Sequence, residues 1–302
     1  METNKPKSTI TFKDSLKSWD TENYLDRFFY RPVGFKIAML LSKTPIVPNT
    51  VTVISIFFGV GGCLLFYPDN LLINMVGFAL LVMANILDCV DGQLSRITGI
   101  KSEIGRILDG FSGDLWFLTF YIVISLRLIN FEGWGWWTFL IALLSGFSHF
   151  TQAGMIDHYK TLHLHFLKNG KNSEFENSKS IQAHSRSLTW KQPVAKIFFR
   201  LYYIYTLNQE FKTPQLRKYM ESMDSRYPDG YPDNQVAAFR SRSLKLMPLL
   251  DFFTFNSRSM VMLVTLILNL EWLYFAVEIL VFNPLLIIAI IKHEKMCKEL
   301  NQ

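Results

Sequence analysis

Along this chain, apolar residues gather into long blocks from which positive charge is missing. Residues 51–95 contain no Lys or Arg, residues 259–291 contain none, and residues 107–157 contain only Arg127. A hydrocarbon environment imposes such a pattern, because an unpaired ammonium or guanidinium is costly at bilayer depth. A helix needs about 20 apolar residues to cross about 30 Å of hydrocarbon. By that measure the blocks predict six spans: Pro48–Tyr67, Leu71–Arg96, Glu103–Leu128, Trp134–Asp157, Phe255–Leu270 and Trp272–Ile291. Open strands are excluded, since their backbone groups would find no partners in lipid. The expected fold class is therefore all-α, a polytopic membrane protein with six transmembrane helices.

Two further segments are apolar but broken by charge. Asn23–Lys43 mixes apolar residues with Asp26, Arg27, Arg31 and Lys36, and is interrupted by Pro32 and Gly34. It reads as an N-terminal amphipathic juxtamembrane helix lying on the membrane surface. Residues 196–205, KIFFRLYYIY, are too few and too charged to cross. They predict an interfacial helix inside a polar insertion, 161–245, which is either a solvated segment touching headgroups or a lid over the site. The chain thus divides into a cytoplasmic N-terminus (1–47), four spans (48–160), the insertion (161–245), and two spans with a cytoplasmic tail (246–302).

Charge sets the orientation. With both termini in the cytoplasm, 30 of the 31 basic residues fall inside and only Arg127 outside, a strong positive-inside bias. Trp134, Trp136 and Trp137 then sit where an outer aromatic belt is expected. Half of all residues are apolar, which excludes disorder and, in blocks this long, a free soluble enzyme. Three scattered cysteines are too few for a disulfide framework or a zinc site. The net charge of +6 comes with no nucleic-acid motif, so it reads as attraction to anionic headgroups. Met1–Asp20 is polar, which predicts no cleaved signal peptide.

The chemistry concentrates at one junction. Asp88, Asp91 and Arg96 end the second span, and Asp109 and Asp114 begin the third. A single acid near a helix end often only caps or snorkels; four on consecutive helices point to the bundle interior and to function. Asp88 and Asp91 are three apart and share a helical face, while Asp109 approaches from the antiparallel neighbour. Carboxylates without His or Cys suit a hard ion, Mg²⁺ or Mn²⁺, which keeps positions for water and substrate phosphates. Cys89 points about 100° away from Asp88 and reads as packing. Gly92 leaves room for a phosphate and Arg96 offers it a forked donor.

The run Asp88-Cys-Val-Asp91-Gly92-Gln-Leu-Ser95-Arg96, then eight residues, then Gly105-Arg-Ile-Leu-Asp109, resembles the signature of the CDP-alcohol phosphotransferases. That signature is D-x2-D-G-x2-A-R, a gap, and G-x3-D-x3-D. Six anchors match, and the resemblance extends to Pro48-Asn49 and the six spans but not to the insertion. It implies transfer of a phospho-alcohol from a CDP-linked donor to a hydroxyl, with release of CMP, using two divalent ions. Carried over, Asp88, Asp91, Asp109 and Asp114 would bind metal, and Asp114 would also be the catalytic base. Gly92, Ser95, Arg96 and Gly105 would line the donor site. It also implies a homodimer of phospholipid synthesis acting at the cytoplasmic face.

This chain departs from the pattern twice. Ser95 stands for Ala, and the last acid comes five residues after Asp109, at Asp114, with Gly113 in the expected place. Five residues of regular helix turn Asp114 about 140° from Asp109. A π-bulge near Gly110–Gly113 would restore the facing, and that bulge is the expectation here. For the acceptor, Ser145, Ser148, His149 and Gln152 form a polar stripe on the fourth span and Arg258 opens the fifth. Such groups either line a cavity or bond neighbouring helices. As acceptor-binding residues, Arg258, His149 and Gln152 would suit a polyol phosphate such as inositol phosphate, or a serine carboxylate. The preferred reading transfers a phosphatidyl group from CDP-diacylglycerol to a small polar alcohol. Its rivals are a CDP-aminoalcohol donor with a diacylglycerol or ceramide acceptor, a non-enzymatic CDP-lipid binder, and a transporter.

Overall fold

The computed structural model describes residues 11–170, 175–190 and 192–302. The first ten residues of the N-terminal segment, and positions 171–174 and 191 of the insertion, lie outside the described residues. Among these residues every regular element is a helix. Four helices are long and apolar enough to cross a membrane: Leu71–Thr98, Ile107–Glu132, Thr138–Leu167 and Trp272–Leu300. Two further apolar helices, Pro48–Leu64 and Phe255–Leu268, are shorter, at 17 and 14 residues. The chain reads as an integral membrane protein, with four of the six expected spans long enough by this measure. Its contacts divide it into two compact units, Met1–Ala142 and Leu143–Gln302.

In the first unit a π-helical turn, Asp26–Tyr30, runs directly into α1 (Arg31–Leu41). The wider turn has a local cause: Pro32 has no N–H to continue an α ladder and its ring crowds the carbonyl four residues back. Then come α2 (Pro48–Leu64), α3 (Leu71–Thr98) and α4 (Glu103–Glu132). Asn70 caps α3 by accepting from the Ile73 amide at 3.1 Å, and α3 ends at Gly99, whose φ of +74° favours glycine. Where α2 meets α3 there is no room for side chains. A Cβ on Gly62 would lie 2.6 Å from the Gly77 carbonyl, and one on Gly77 would lie 2.6 Å from the Gly62 carbonyl. Backbone-to-backbone contact of this kind holds helices where lipid offers no hydrophobic drive. Cys63, Cys89 and Cys297 are all free and buried.

Arg127, the lone basic residue of its block, is 2% exposed. Its Nη1 donates to the carbonyls of Phe66 (3.0 Å) and Pro68 (3.3 Å) and to Asn74 Oδ1 (2.7 Å), while Nη2 pairs with Asp69 at 3.0 Å. It therefore fastens the turn between α2 and α3 from within. Arg127→Leu strands these acceptors and is expected to cost about 1–3 kcal/mol. A thermal scan in detergent should show the midpoint falling by several degrees.

The second unit holds most of α5 (Thr138–Leu167), then α6 (Ser178–Ser187), α7 (Pro193–Lys212), α8 (Pro214–Arg226), α9 (Asp233–Ser243) and α10 (Met247–Asp251). It finishes with α11 (Phe255–Leu268), α12 (Trp272–Val277), a second π turn at Glu278–Phe282, and α13 (Asn283–Leu300). Pro284 follows this π turn as Pro32 follows the first. The reading of 161–245 as a merely solvated insertion needs correction. Phe166 stacks on Phe239 at 3.9 Å and on Tyr231 at 4.9 Å, and Tyr219 closes the group. Leu216, Met220 and Met223 are buried in the same core with Leu286 and Met296 of α13. Glu294 caps α8, accepting from the amides of Gln215 (2.7 Å) and Leu216 (3.0 Å). The segment predicted as interfacial lies within α7, whose Gln209 donates to the Gly154 carbonyl at 2.7 Å. Ile197, Leu201, Ile204 and Phe211 remain exposed on α7.

Candidate functional site

The candidate metal site forms where α3 ends and α4 begins. Three residues link the starts of α2 and α4. The Ser102 hydroxyl caps α4 by accepting from the Gly105 amide at 2.9 Å, and Asn49 Nδ2 donates to the same hydroxyl at 2.9 Å. A Cβ at Gly105 would collide with Asn49 Oδ1. The glycine is thus required by the protein's own helix contact, which sequence reasoning did not anticipate.

Within this frame Asp88, Asp91 and Asp109 each offer a carboxylate oxygen, and these oxygens lie within 4.8 Å of one another. Their exposure is graded. Asp91 is 3% exposed, Asp88 is partly buried, and Asp109 faces outward. Two hydroxyls steady the group. Thr52 Oγ1 donates to Asp91 Oδ2 at 2.6 Å, and Ser112 Oγ donates to Asp88 Oδ1 at 3.0 Å. Sequence reasoning missed both; the available signal was their place on the faces of α2 and α4 that turn toward the acids. Three carboxylates this close repel one another unless a cation or a proton intervenes. An all-oxygen donor set fits a hard divalent ion.

Asp114 is not brought to this group. The bulge expected near Gly110–Gly113 is absent, because α4 is regular α-helix from Glu103 to Glu132. The five-residue step therefore keeps its rotation of about 140° from Asp109. Among the described residues the π turns lie instead at Asp26–Tyr30 and Glu278–Phe282.

The other motif residues are distributed as follows. Gly92 lies beneath the Arg96 guanidinium: a Cβ there would stand 3.3 Å from Nη2 and 3.6 Å from Nη1. Arg96 Nε donates to the Ser15 carbonyl. Ser95 is turned to the helix end, its hydroxyl donating to the Ile100 carbonyl at 2.8 Å. Cys89 packs toward α1, where a Cβ on Gly34 would lie 3.2 Å from its own Cβ. Tyr30, also on that side, has its phenol pushed up to about 12, first by burial and then by the Asp26 charge, and so adds no charge of its own.

The residues expected to bind an acceptor are brought together in the second unit, but around each other. Arg258 is fully buried. Its Nη1 lies 2.6 Å from both Glu278 carboxylate oxygens, its Nη2 donates to Gln152 Oε1 at 2.6 Å, and its Nε donates to the Phe253 carbonyl at 3.1 Å. His149 Nδ1 lies 3.1 Å from Arg258 Nη1. Because a guanidinium only donates, that nitrogen must accept, leaving the ring proton on Nε2. Gln152 Nε2 donates to Asn283 Oδ1 at 2.8 Å and to the Glu278 carbonyl at 3.2 Å, within the π turn. Ser148 accepts from Asn283 Nδ2 at 3.0 Å. Glu278 is the partner that sequence reasoning overlooked. Its signal was an acid in the middle of the last apolar block, which a count of basic residues does not register.

Among known proteins, the chain is 28% identical over 81 residues to an uncharacterized protein of Aquifex aeolicus (strain VF5). The match covers 27% of this chain and 40% of the relative, so the chain spans about two-fifths of that protein's length. The segment with the three gathered carboxylates is more informative: residues 45–168, from the start of α2 to just past the end of α5, match the model of the CDP-alcohol phosphatidyltransferase family.

Proposed function

We propose that this chain is a divalent-metal-dependent transferase of phospholipid synthesis, passing a phosphatidyl group from CDP-diacylglycerol to the hydroxyl of a small polar alcohol. The observation that carries the reading is the Asp88, Asp91 and Asp109 group, whose oxygens lie within 4.8 Å of one another inside the family match. Mg²⁺ or Mn²⁺ held there, two ions by family analogy, would neutralise the donor's diphosphate. Gly92, Ser95, Arg96 and Gly105 belong to the donor side, and Arg96 over Gly92 suits a phosphate oxygen. In the reaction the acceptor oxygen bonds to the lipid-side phosphorus as the bond to the CMP oxygen breaks. The acceptor proton leaves to a base, and CMP departs with the bonding pair.

Six spans, an active site at the cytoplasmic face and two cytoplasmic termini complete the proposal, supported by the distribution of basic residues, and a homodimer is proposed by family analogy. Arg127 is no exception to that distribution in energetic terms, since its charge is met by Asp69 and three acceptors. A polyol phosphate remains the proposed acceptor class. Arg258, His149 and Gln152 stay candidates for it only if their network with Glu278 opens.

The test is CMP release by the full chain in lipid, with Mg²⁺, CDP-diacylglycerol and pooled polar acceptors. Metal-dependent release is expected. Release only from a CDP-aminoalcohol would move the chain to the other donor branch, and none from either donor would remove the enzyme reading. Asp114→Asn refines the test. A general base contributes about 10²–10⁴-fold. The regular course of α4 favours a loss of less than about threefold, leaving Asp114 outside the chemistry.

A further inference from the structure

The residues ahead of α1 are seated on the motif helix itself. Phe12 meets Phe35 edge-on at 5.6 Å, and Arg27 lies 5.2 Å over Trp19 while donating from Nη2 to its carbonyl at 2.8 Å. Arg31 pairs with Glu22 at 3.0 Å. From the other side Gln93, fully buried on α3, donates through Nε2 to Ser15 Oγ at 3.0 Å and to the Arg31 carbonyl at 3.2 Å. A Cβ on Gly34 would lie 2.7 Å from Gln93 Oε1, so α1 comes as close as a glycine permits. Ser15 and Leu16 are buried by these contacts. Buried polar contacts made from both sides describe a built seat, not a removable latch.

The seat has two effects on the site. It holds Arg96 by its Nε, on the Ser15 carbonyl, with the Nη atoms above Gly92. It also delivers Lys17, exposed and two residues past the Ser15 carbonyl that holds Arg96. Arg31, the basic residue at the start of α1 on this side, is already paired with Glu22 at 3.0 Å. A lysine on a flexible stem is suited to meet a phosphate as a point charge, where arginine provides the fork.

Resting on the reading of this site as a donor site, we infer that residues 13–21 form one of its walls. The Ser15 carbonyl positions the Arg96 guanidinium, and Lys17 supplies a second cation to the diphosphate of the nucleotide-linked donor.

Calorimetric binding of CDP with Mg²⁺ to the full chain in lipid nanodiscs tests this, together with donor KM and kcat. Lys17→Ala is expected to weaken CDP binding about tenfold, equivalent to about 1.4 kcal/mol. Donor KM should rise in step, with kcat within about twofold. Lys17→Arg should restore most of the affinity, which a loss of packing would not predict. Tight CDP binding by Lys17→Ala would overturn the wall while leaving the donor site intact. A wild type that fails to bind CDP with Mg²⁺ would overturn the donor-site reading, and the wall with it.

Discussion

Asp91→Asn is expected to abolish metal-dependent CMP release while leaving the fold at least as stable as before. Asp91 is the most buried of the three carboxylates, and it is fixed by Thr52 at 2.6 Å. Asparagine keeps the shape and can still accept from that hydroxyl, so packing is preserved. What it removes is one of three negative charges whose oxygens lie within 4.8 Å. Losing a ligand to an ion that stabilises a developing charge costs several kcal/mol of transition-state energy, or about 10³-fold in rate. Losing a like-charge neighbour works the other way in the metal-free protein, where it should add up to about 1 kcal/mol of stability. Rate and thermal midpoint should therefore move in opposite directions. Loss of activity with a lower midpoint would mean that Asp91 is structural and that the site has been misread.

The second large effect is expected at Arg258. Its guanidinium and the Glu278 carboxylate are both fully buried and 2.6 Å apart. Removing one partner strands the other charge in a low-dielectric interior, which typically costs about 3–5 kcal/mol. Arg258→Ala and Glu278→Ala should each reduce folded yield in detergent sharply. Arg258→Met combined with Glu278→Leu should recover much of the loss, since replacing both charges removes the desolvation burden as well as the attraction. The same variants separate a clamp from an acceptor site. If Arg258 binds acceptor, Arg258→Met/Glu278→Leu will fold but raise acceptor KM steeply. As a clamp, the double variant keeps acceptor KM close to that of the wild type.

The sequence made some of this legible and left the rest dark, for physical reasons. The apolar blocks marked α3, α4, α5 and the last span because positive charge cannot be hidden in lipid, and that rule is nearly local. Helix lengths were less readable: α11 is 14 residues and α2 is 17, and the turns that end them depend on neighbours. The gathering of Asp88, Asp91 and Asp109 followed from helical spacing on antiparallel neighbours. Thr52 and Ser112 carried only the weak mark of their place on the faces of α2 and α4 toward the acids, because a hydroxyl does not declare its partner. The π turn was expected where a motif needed rotation and found where Pro32 and Pro284 needed space. Proline chemistry proved the better guide to helix geometry than a demand for alignment. The fold of 161–245 was hidden for another reason: its core is closed by residues of α13, far away in sequence.

The crossing of α2 and α3 at Gly62 and Gly77 works as a fulcrum. Asp91 lies about 14 residues further along α3, roughly 21 Å of helix at 1.5 Å per residue. Over that arm each degree of tilt carries the carboxylate through roughly 0.4 Å. The two backbones already touch, with no side chain to absorb a shift. A methyl group added at the fulcrum would thus be felt as misalignment at the other end of the lever, and reacting groups misplaced by about 1 Å can lose about 10²-fold in rate. The aim of the carboxylates is set as much by two hydrogen atoms far from them as by anything they touch.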